Sequence, residues 1–220
     1  MKQIILIGAG GHAAEVVDYI NYHNRFFPEK TMEILGFLDI NKDAYNHYEF
    51  EKPYLGTAEE HTIVKNVEYL FCFGNLKYKK ELVEKFTEGG ALFLTFIHPT
   101  ALISPSAKIG KGVLISHNAS VGPKVVIGDF NILNSRCTIG HDSEIGDYNF
   151  ISPQVSVSGN TKIGNSNMFG VNSATIPGVT VGNNNTIGAG SILTKNIAAD
   201  YSLVVGVPGK VILVKDPKDL

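Results

Sequence analysis

The chain has 220 residues, 18% of them charged, and a net charge of −2; this is a globular composition for one large or two small domains, without the basic excess of a general nucleic-acid binder. No apolar run approaches a membrane span, and Ile4-Ile5-Leu6-Ile7 is too short for a secretion signal, so the protein is expected in the cytoplasm. Cys72 and Cys137 stand alone, without disulfide or zinc spacing, and no metal is expected.

Residues 1–96 alternate between strand and helix patterns. Residues 2–7 read as a buried strand, followed by Gly8-Ala9-Gly10-Gly11-His12 and a helical segment over 13–19 with Val16, Val17 and Ile20 on one side. Further strands are expected over 34–38, 68–73 and 91–96, and a helix over 77–88 with Leu82, Val83 and Phe86 as its apolar stripe. Residues 41–53 read as a polar and aromatic surface loop. The alternation predicts a small Rossmann-like α/β domain. Gly8, Gly10 and Gly11 fit the outline of a diphosphate-binding turn, in which small residues let a phosphate reach the amides at a helix N-terminus. Asp39 ends the second strand, where an acid for a ribose or base is expected. A domain of this length with no hydride-transfer group suits a nucleotide-sugar better than a nicotinamide cofactor, which stays as an alternative. A plain tight turn at the glycines and a solvated acid at Asp39 are the structural alternatives.

From Ile97 the texture changes. Stepping by six residues from Ile97 to Leu193 gives 17 positions, 16 of them large and apolar, and nine are followed directly by glycine. Small residues such as Ala101, Ala119, Cys137, Ser143 and Thr161 sit two places before these anchors. Each hexapeptide is thus one short strand and a corner, with the anchor inward and Gly or Asn taking the tight corner. Three hexapeptides make a coil, so residues 18 apart stack at about 4.8 Å. Residues 97–200 are expected as this β-helix and 201–220 as a C-terminal tail.

A catalytic site in the repeat would need a base and a hydrogen-bond donor for developing charge. Of the seven histidines only His98, His117 and His141 lie in or beside the repeat. His141 follows Gly140 at a corner and can face outward. One coil later stands Gly159, which leaves room above the imidazole and presents a backbone amide N–H. His117 reads as a surface residue, and a solvated corner is the bland reading of His141.

The two halves together resemble the PglD/NeuD-like family of hexapeptide-repeat sugar acetyltransferases over essentially the whole chain. The matching segments are Ile7-Gly8-Ala9-Gly10-Gly11-His12, Gly74-Asn75, the run from Cys137 to Gly146, Gly170-Val171-Asn172-Ser173 and Val205-Gly206-Val207-Pro208-Gly209-Lys210. The resemblance implies a left-handed parallel β-helix, a homotrimer with sites between subunits, and acetyl-CoA as co-substrate. It implies N-acetylation of a nucleotide-linked 4-amino-4,6-dideoxy sugar for bacterial surface glycans, with UDP as the expected nucleotide. By the same resemblance His141 is the general base, Asp142 lies beside it and Asn134 lies near the substrate amine. Alternating side-chain directions are expected to hinder direct pairing of Asp142 with the imidazole. Gly8, Gly10, Gly11, His12, Asp39, Gly74 and Asn75 are placed at the nucleotide-sugar. Gly159, Val171, Ala189, Lys195, Gly206 and Pro208 are placed along CoA, with Lys210 a further candidate for its phosphates. Phe150 departs from the family, several members of which carry a second histidine there, and Asp39-Ile40 replaces a pair of acids. O-acetylation of a sugar such as sialic acid, and a non-catalytic nucleotide-sugar-binding β-helix, remain the alternatives.

Overall fold

A computed structural model describes residues 1–215. The chain divides after Pro99 into two units.

The first unit is built on a parallel sheet of four strands, β1 (Lys2–Ile7), β2 (Met32–Leu38), β3 (Glu68–Phe71) and β4 (Leu92–Phe93), in the order β2-β1-β3-β4. Ile4 to Ile7 are buried without alternation because β1 is central and covered on both faces. The connections are α1 (Gly11–Phe26), α2 (Asp43–Tyr48) and α3 (Leu76–Glu88). Helix α1 runs well beyond the segment expected at 13–19, because its apolar stripe continues through Tyr19 and Ile20. The strand expected at 91–96 is broken. Leu94 donates its amide to the Tyr69 carbonyl and ends the pairing, and a separate strand, β5 (Phe96–Ile97), follows.

The segment 41–53 is not a plain surface loop. It contains α2, and its aromatic residues turn inward: Phe50 stacks on Phe37 at 4.1 Å between ring centres, with Tyr45 at 6.0 Å from Phe37. The Tyr45 hydroxyl donates to the Lys52 carbonyl at 2.9 Å. Burial of these rings overrides the polar character of the surrounding sequence.

The second unit is a left-handed parallel β-helix. One face carries Lys108–Ile109, Val126–Ile127, Glu144–Ile145, Lys162–Ile163 and Thr180–Val181, paired in register. A second carries Leu114–Ile115, Ile132–Leu133, Phe150–Ile151, Met168–Phe169 and Thr186–Ile187. The third carries Leu102–Ile103, Ser120–Val121, Thr138–Ile139, Ser156–Val157, Ala174–Thr175 and Ile192–Leu193. The anchors from Ile115 to Leu193 are at most 3% exposed, and the one polar anchor, Thr175, accepts the Ser158 amide at 3.0 Å.

The corner geometry departs from the expected role of glycine. The left-handed residue is the third after every anchor from Ile109 to Ile187 and is mostly not glycine: Asn118, Lys124, Phe130, Arg136, Asp142, Tyr148 and the non-glycine residues that follow them in the series have φ between 54 and 60°. That conformation costs about 1–2 kcal/mol for a residue with a Cβ. Its return is that the corner N–H points along the stack and donates to a carbonyl one coil earlier, as from Asp142 to Pro123 and from Asn160 to His141. Glycine directly after the anchor serves close approach instead: a Cβ on Gly140 would stand against the Gly159 backbone nitrogen.

Two side-chain ladders follow the same stacking. The oxygens of Asn131, Asn149, Asn167 and Asn185 accept, in turn, the amides of Asn149, Asn167, Asn185 and Ser202 at 2.7–2.8 Å. On the rim of that corner Asp147, Asn165, Asn183 and Asp200 accept amides from the coil before at 2.6–2.8 Å. The segment expected as a tail extends this architecture: Ser202–Val205 pairs parallel with Thr186–Ile187, and Lys210–Val214 returns antiparallel. Residues 216–220 of that segment lie outside the described residues.

Asn149 both accepts from the next coil and donates to the Gly146 carbonyl while fully buried. Asn149→Ala is therefore expected to cost about 2–3 kcal/mol or more, since it strips partners from buried backbone groups. Thermal unfolding checks this: the loss should far exceed that of Asn118→Ala at an exposed corner.

Candidate functional site

In the first unit, the expected residues gather at the carboxyl ends of β1, β2 and β3, the position where open α/β sheets bind ligands. Gly8 has φ +106° and donates to the Leu38 carbonyl at 2.7 Å, and a Cβ there would meet the Cys72 carbonyl at 3.0 Å. Gly10 is the N-cap of α1 with no atom within 4 Å of a Cβ position, whereas a Cβ on Gly11 would press on the Tyr48 hydroxyl. Asp39 is bound closely to this turn: its two carboxylate oxygens accept the Ala9 and Ile40 amides, each at 2.7 Å. Asp39 thus shapes the glycine turn directly. The Asn75 side-chain oxygen caps α3 by accepting the Tyr78 amide at 3.1 Å, next to Gly74.

His12, half-buried in the first turn of α1, has its imidazole pushed down to about 4, by burial and then by the positive charge of Lys79. It is neutral at physiological pH. Lys79 on α3 is 1% exposed, and the Cys72 thiol beside it is pushed upward by its burial. Sequence reasoning passed over Lys79, Tyr54 and Tyr78. The Tyr54 hydroxyl donates to the Asp39 carbonyl at 3.2 Å, with the Lys42 ammonium 5.4 Å from its ring centre, and the Tyr78 hydroxyl bonds Glu59 at 2.5 Å. A signal was present for Lys79, which falls one turn after the Asn75 cap and on the stripe of Leu82, Val83 and Phe86.

In the β-helix, His141 and Asp142 form a corner of the coil. Their side chains pair directly, His141 Nδ1 to Asp142 Oδ2 at 2.8 Å. This corrects the expectation that alternating side-chain directions hinder the pairing. Asp142 has φ +57°, so the strand alternation does not apply at the corner and both side chains leave on one side. An ionised carboxylate can only accept, so it fixes the proton on Nδ1 and leaves the Nε2 lone pair outward. A Cβ placed on Gly159 would lie 2.7 Å from that Nε2. The Gly159 amide donates to no group among the described residues. Base and amide donor therefore share one corner on successive coils.

The remaining expected residues divide between corners. Lys195 is exposed and occupies the same corner column as His141 and Gly159. Asn134, Val171 and Ala189 lie at the corner across the third face, Val171 and Ala189 in one column and Asn134 in the column beside it. Val171 and Ala189 are exposed there, while Asn134 is buried with its amide donated to the Ile151 carbonyl at 2.9 Å. Gly206 and Pro208 lie in the turn whose backbone bonds Ile192, with Lys210 following. His117 is paired with Asn118 on the Asn134 side. Phe150 starts a strand of the second face, away from the His141 corner. Both thiols are buried, that of Cys137 pushed up to about 12, so neither is a ready nucleophile. Among the described residues no cluster of His, Cys, Asp or Glu is arranged to hold a metal, and no helix is long and apolar enough to cross a membrane.

Comparison with known proteins gives a consistent pattern. The family model described as the PglD N-terminal domain matches residues 3–86. UDP-N-acetylbacillosamine N-acetyltransferase of Bacillus subtilis (strain 168) is 30% identical over 120 residues, 52% of this chain and 51% of that protein, so the match spans about half of the curated relative. The acetyltransferase domain of PglB from Neisseria gonorrhoeae FA1090 is 29% identical, with a TM-score of 0.83 over 96% of this chain and all of that one. PerB from Caulobacter crescentus, solved with CoA and GDP-perosamine, shares the fold at a TM-score of 0.82 and 24% identity, over 96% of this chain and 97% of that one.

Gly159→Ala tests the corner. Its methyl group would displace the His141 ring while leaving the coil registers intact, so any catalysis that runs through that ring should fall by at least about 100-fold. Circular dichroism and melting temperature should stay near those of the parent protein.

Proposed function

We propose that the chain is a PglD-like sugar acetyltransferase, and that it transfers an acetyl group from acetyl-CoA to the 4-amino group of a nucleotide-linked 4-amino-4,6-dideoxy sugar; the family-model match and the relatives support this reading. The observation that carries this reading is the His141–Asp142 pair with Nε2 set against Gly159. The first unit would hold the nucleotide through the glycine turn, Asp39 and the start of α3. We take UDP as the nucleotide, a cytoplasmic location and a role in bacterial surface glycan synthesis. The acetyl coenzyme A bound to the acetyltransferase domain of PglB from N. gonorrhoeae, and the CoA in the PerB crystals, support acetyl-CoA here.

In this mechanism the sugar amine attacks the thioester carbonyl and passes its proton to His141 Nε2. Asp142 holds the ring and stabilises the imidazolium that forms. The Gly159 amide donates to the developing oxyanion. Collapse breaks the C–S bond, and the imidazolium returns the proton to the departing CoA sulfur. Neither cysteine takes part.

The split between corners bears on assembly. His141, Gly159 and Lys195 stand at one edge of the third face, and Asn134, Val171 and Ala189 at the other. Between them the outward residues Ser120, Thr138, Ser156 and Ala174 are short. Such a face suits close approach by a second copy and a slender pantetheine arm, and we infer a homotrimer in which each site draws one edge from each neighbour. Light scattering should give a mass near three times 23.8 kDa. A monomer that turns over at full rate would overturn the shared site.

Acetyl-CoA with a panel of UDP-, dTDP- and GDP-linked 4-amino-4,6-dideoxy sugars and free sialic acid should release thiol with one amino sugar. His141→Ala should lower that rate by about 10²–10⁴-fold. Release with sialic acid alone would assign O-acetylation instead. An unchanged rate in His141→Ala would remove the base, and silence across the panel in all preparations would favour a binding module.

A further inference from the structure

Lys79 is the buried charge that the transfer chemistry leaves unused. Its side chain is 1% exposed, inside a domain whose fold does not otherwise need a cation there. It forms no ion pair or side-chain hydrogen bond among the described residues; its backbone amide bonds Asn75 in the first turn of α3. The titratable groups whose fields couple to it are the Cys72 thiol at the end of β3 and His12 in the first turn of α1. The nearby acids act elsewhere: Asp39 and Glu59 bear on Tyr54 and Tyr78. A buried ammonium without a carboxylate is costly, and such groups concentrate where a ligand supplies the missing charge.

The surroundings identify that ligand's chemistry. Lys79, in the first turn of α3, bears electrostatically on His12 in the first turn of α1, and a Cβ on Gly8, just before that helix, would meet the Cys72 carbonyl at 3.0 Å. Helix α1 opens with Gly10 and Gly11, whose lack of side chains leaves the first-turn amides open to a phosphate. We propose that Lys79 is the buried counter-charge for the diphosphate of the nucleotide-sugar, taking up a proton as that diphosphate settles on the glycine turn. This rests on the nucleotide-sugar reading above and adds to it a proton that accompanies binding.

The direction of the pH effect follows. Burial pushes Lys79 down to about 7, so near neutral pH the unliganded protein is a mixture of charged and neutral forms. A bound dianion favours the charged form and raises that value, so affinity is greatest below about 7 and declines as pH rises toward about 9. His12, held neutral at about 4, stays neutral through this window unless the same anion raises it far more.

The test is calorimetry with UDP-N-acetylglucosamine and GDP-mannose, whose phosphates are already fully ionised at pH 7.5, in buffers of different ionisation heat. The parent protein should take up between about 0.5 and 1 proton per site with the probe that binds. Lys79→Met should bind that probe at least 10-fold more weakly with no uptake, and acetyl-CoA unchanged. Its melting temperature should rise, more at pH 6 than at pH 9, because the buried charge is gone. Binding by the parent without proton uptake, or Lys79→Met binding within twofold of it, would overturn the role of Lys79 alone. Failure of both probes to bind the parent at millimolar concentration would overturn the nucleotide-sugar reading, and this inference with it.

Discussion

The second unit rests on a single constraint: residues one coil apart must stack at the spacing of hydrogen-bonded strands. Strands of two residues supply too few ladder bonds to hold a coil, so the corners contribute. Each corner places a left-handed residue whose N–H reaches the coil before it, repeated from Phe130 to Gly190. Buried Asn131, Asn149, Asn167 and Asn185 add a second thread inside one corner. An apolar residue in their place would fill space but leave the amides of the next coil unsatisfied, at about 1–3 kcal/mol each. Sequence period and backbone satisfaction are two views of one requirement.

That requirement also makes the candidate site. Gly140 lies so close to the Gly159 backbone that it cannot take a Cβ, whereas at Gly159 a Cβ would meet only a side chain. At Gly140 the obstruction is backbone; at Gly159 it is the His141 imidazole itself. The close packing that closes the coil therefore sets an imidazole nitrogen against a backbone amide of the next coil, without any loop to position them. A ring held by Asp142 on one side and by a glycine on the other loses little freedom on meeting substrate, which is the entropic basis of effective catalysis by orientation.

Much of this was legible in the sequence because a hexapeptide period is insensitive to detail. Sixteen apolar anchors among 17 positions fix strands, faces and columns, and the columns bring His141 to Gly159. What escaped was the conformation between anchors. The strand rule of alternating directions, which predicts a hindered pairing of Asp142 with the His141 imidazole, fails at Asp142 because its φ is +57°. The glycine after the anchor was assigned a turn, whereas the turn belongs to the residue two places on. The asparagine ladder was visible as Asn at 131, 149, 167 and 185, but only to a reader comparing residues 18 apart. In the first unit, α2 was hidden because polar residues surround rings that turn toward Phe37.

Lys79 illustrates a different limit. On a helix its position follows from the apolar stripe, yet a lysine on that stripe ordinarily reaches outward along its alkyl stem. Here the stem stays inside, so the cost of the charge cannot be relieved by snorkelling. Asp39, the acid closest to the glycine turn by sequence logic, is already bound to two backbone amides there and faces Ala9 rather than Lys79. The two charges are thus divided by role. The acid shapes the turn from one strand end, and the lysine, buried in the first turn of α3, has no carboxylate partner among the described residues. An acid paired with Lys79 would have made the domain more stable and the same cleft less receptive to a phosphate. The absence of that pair among the described residues is consistent with a domain selected for binding over stability.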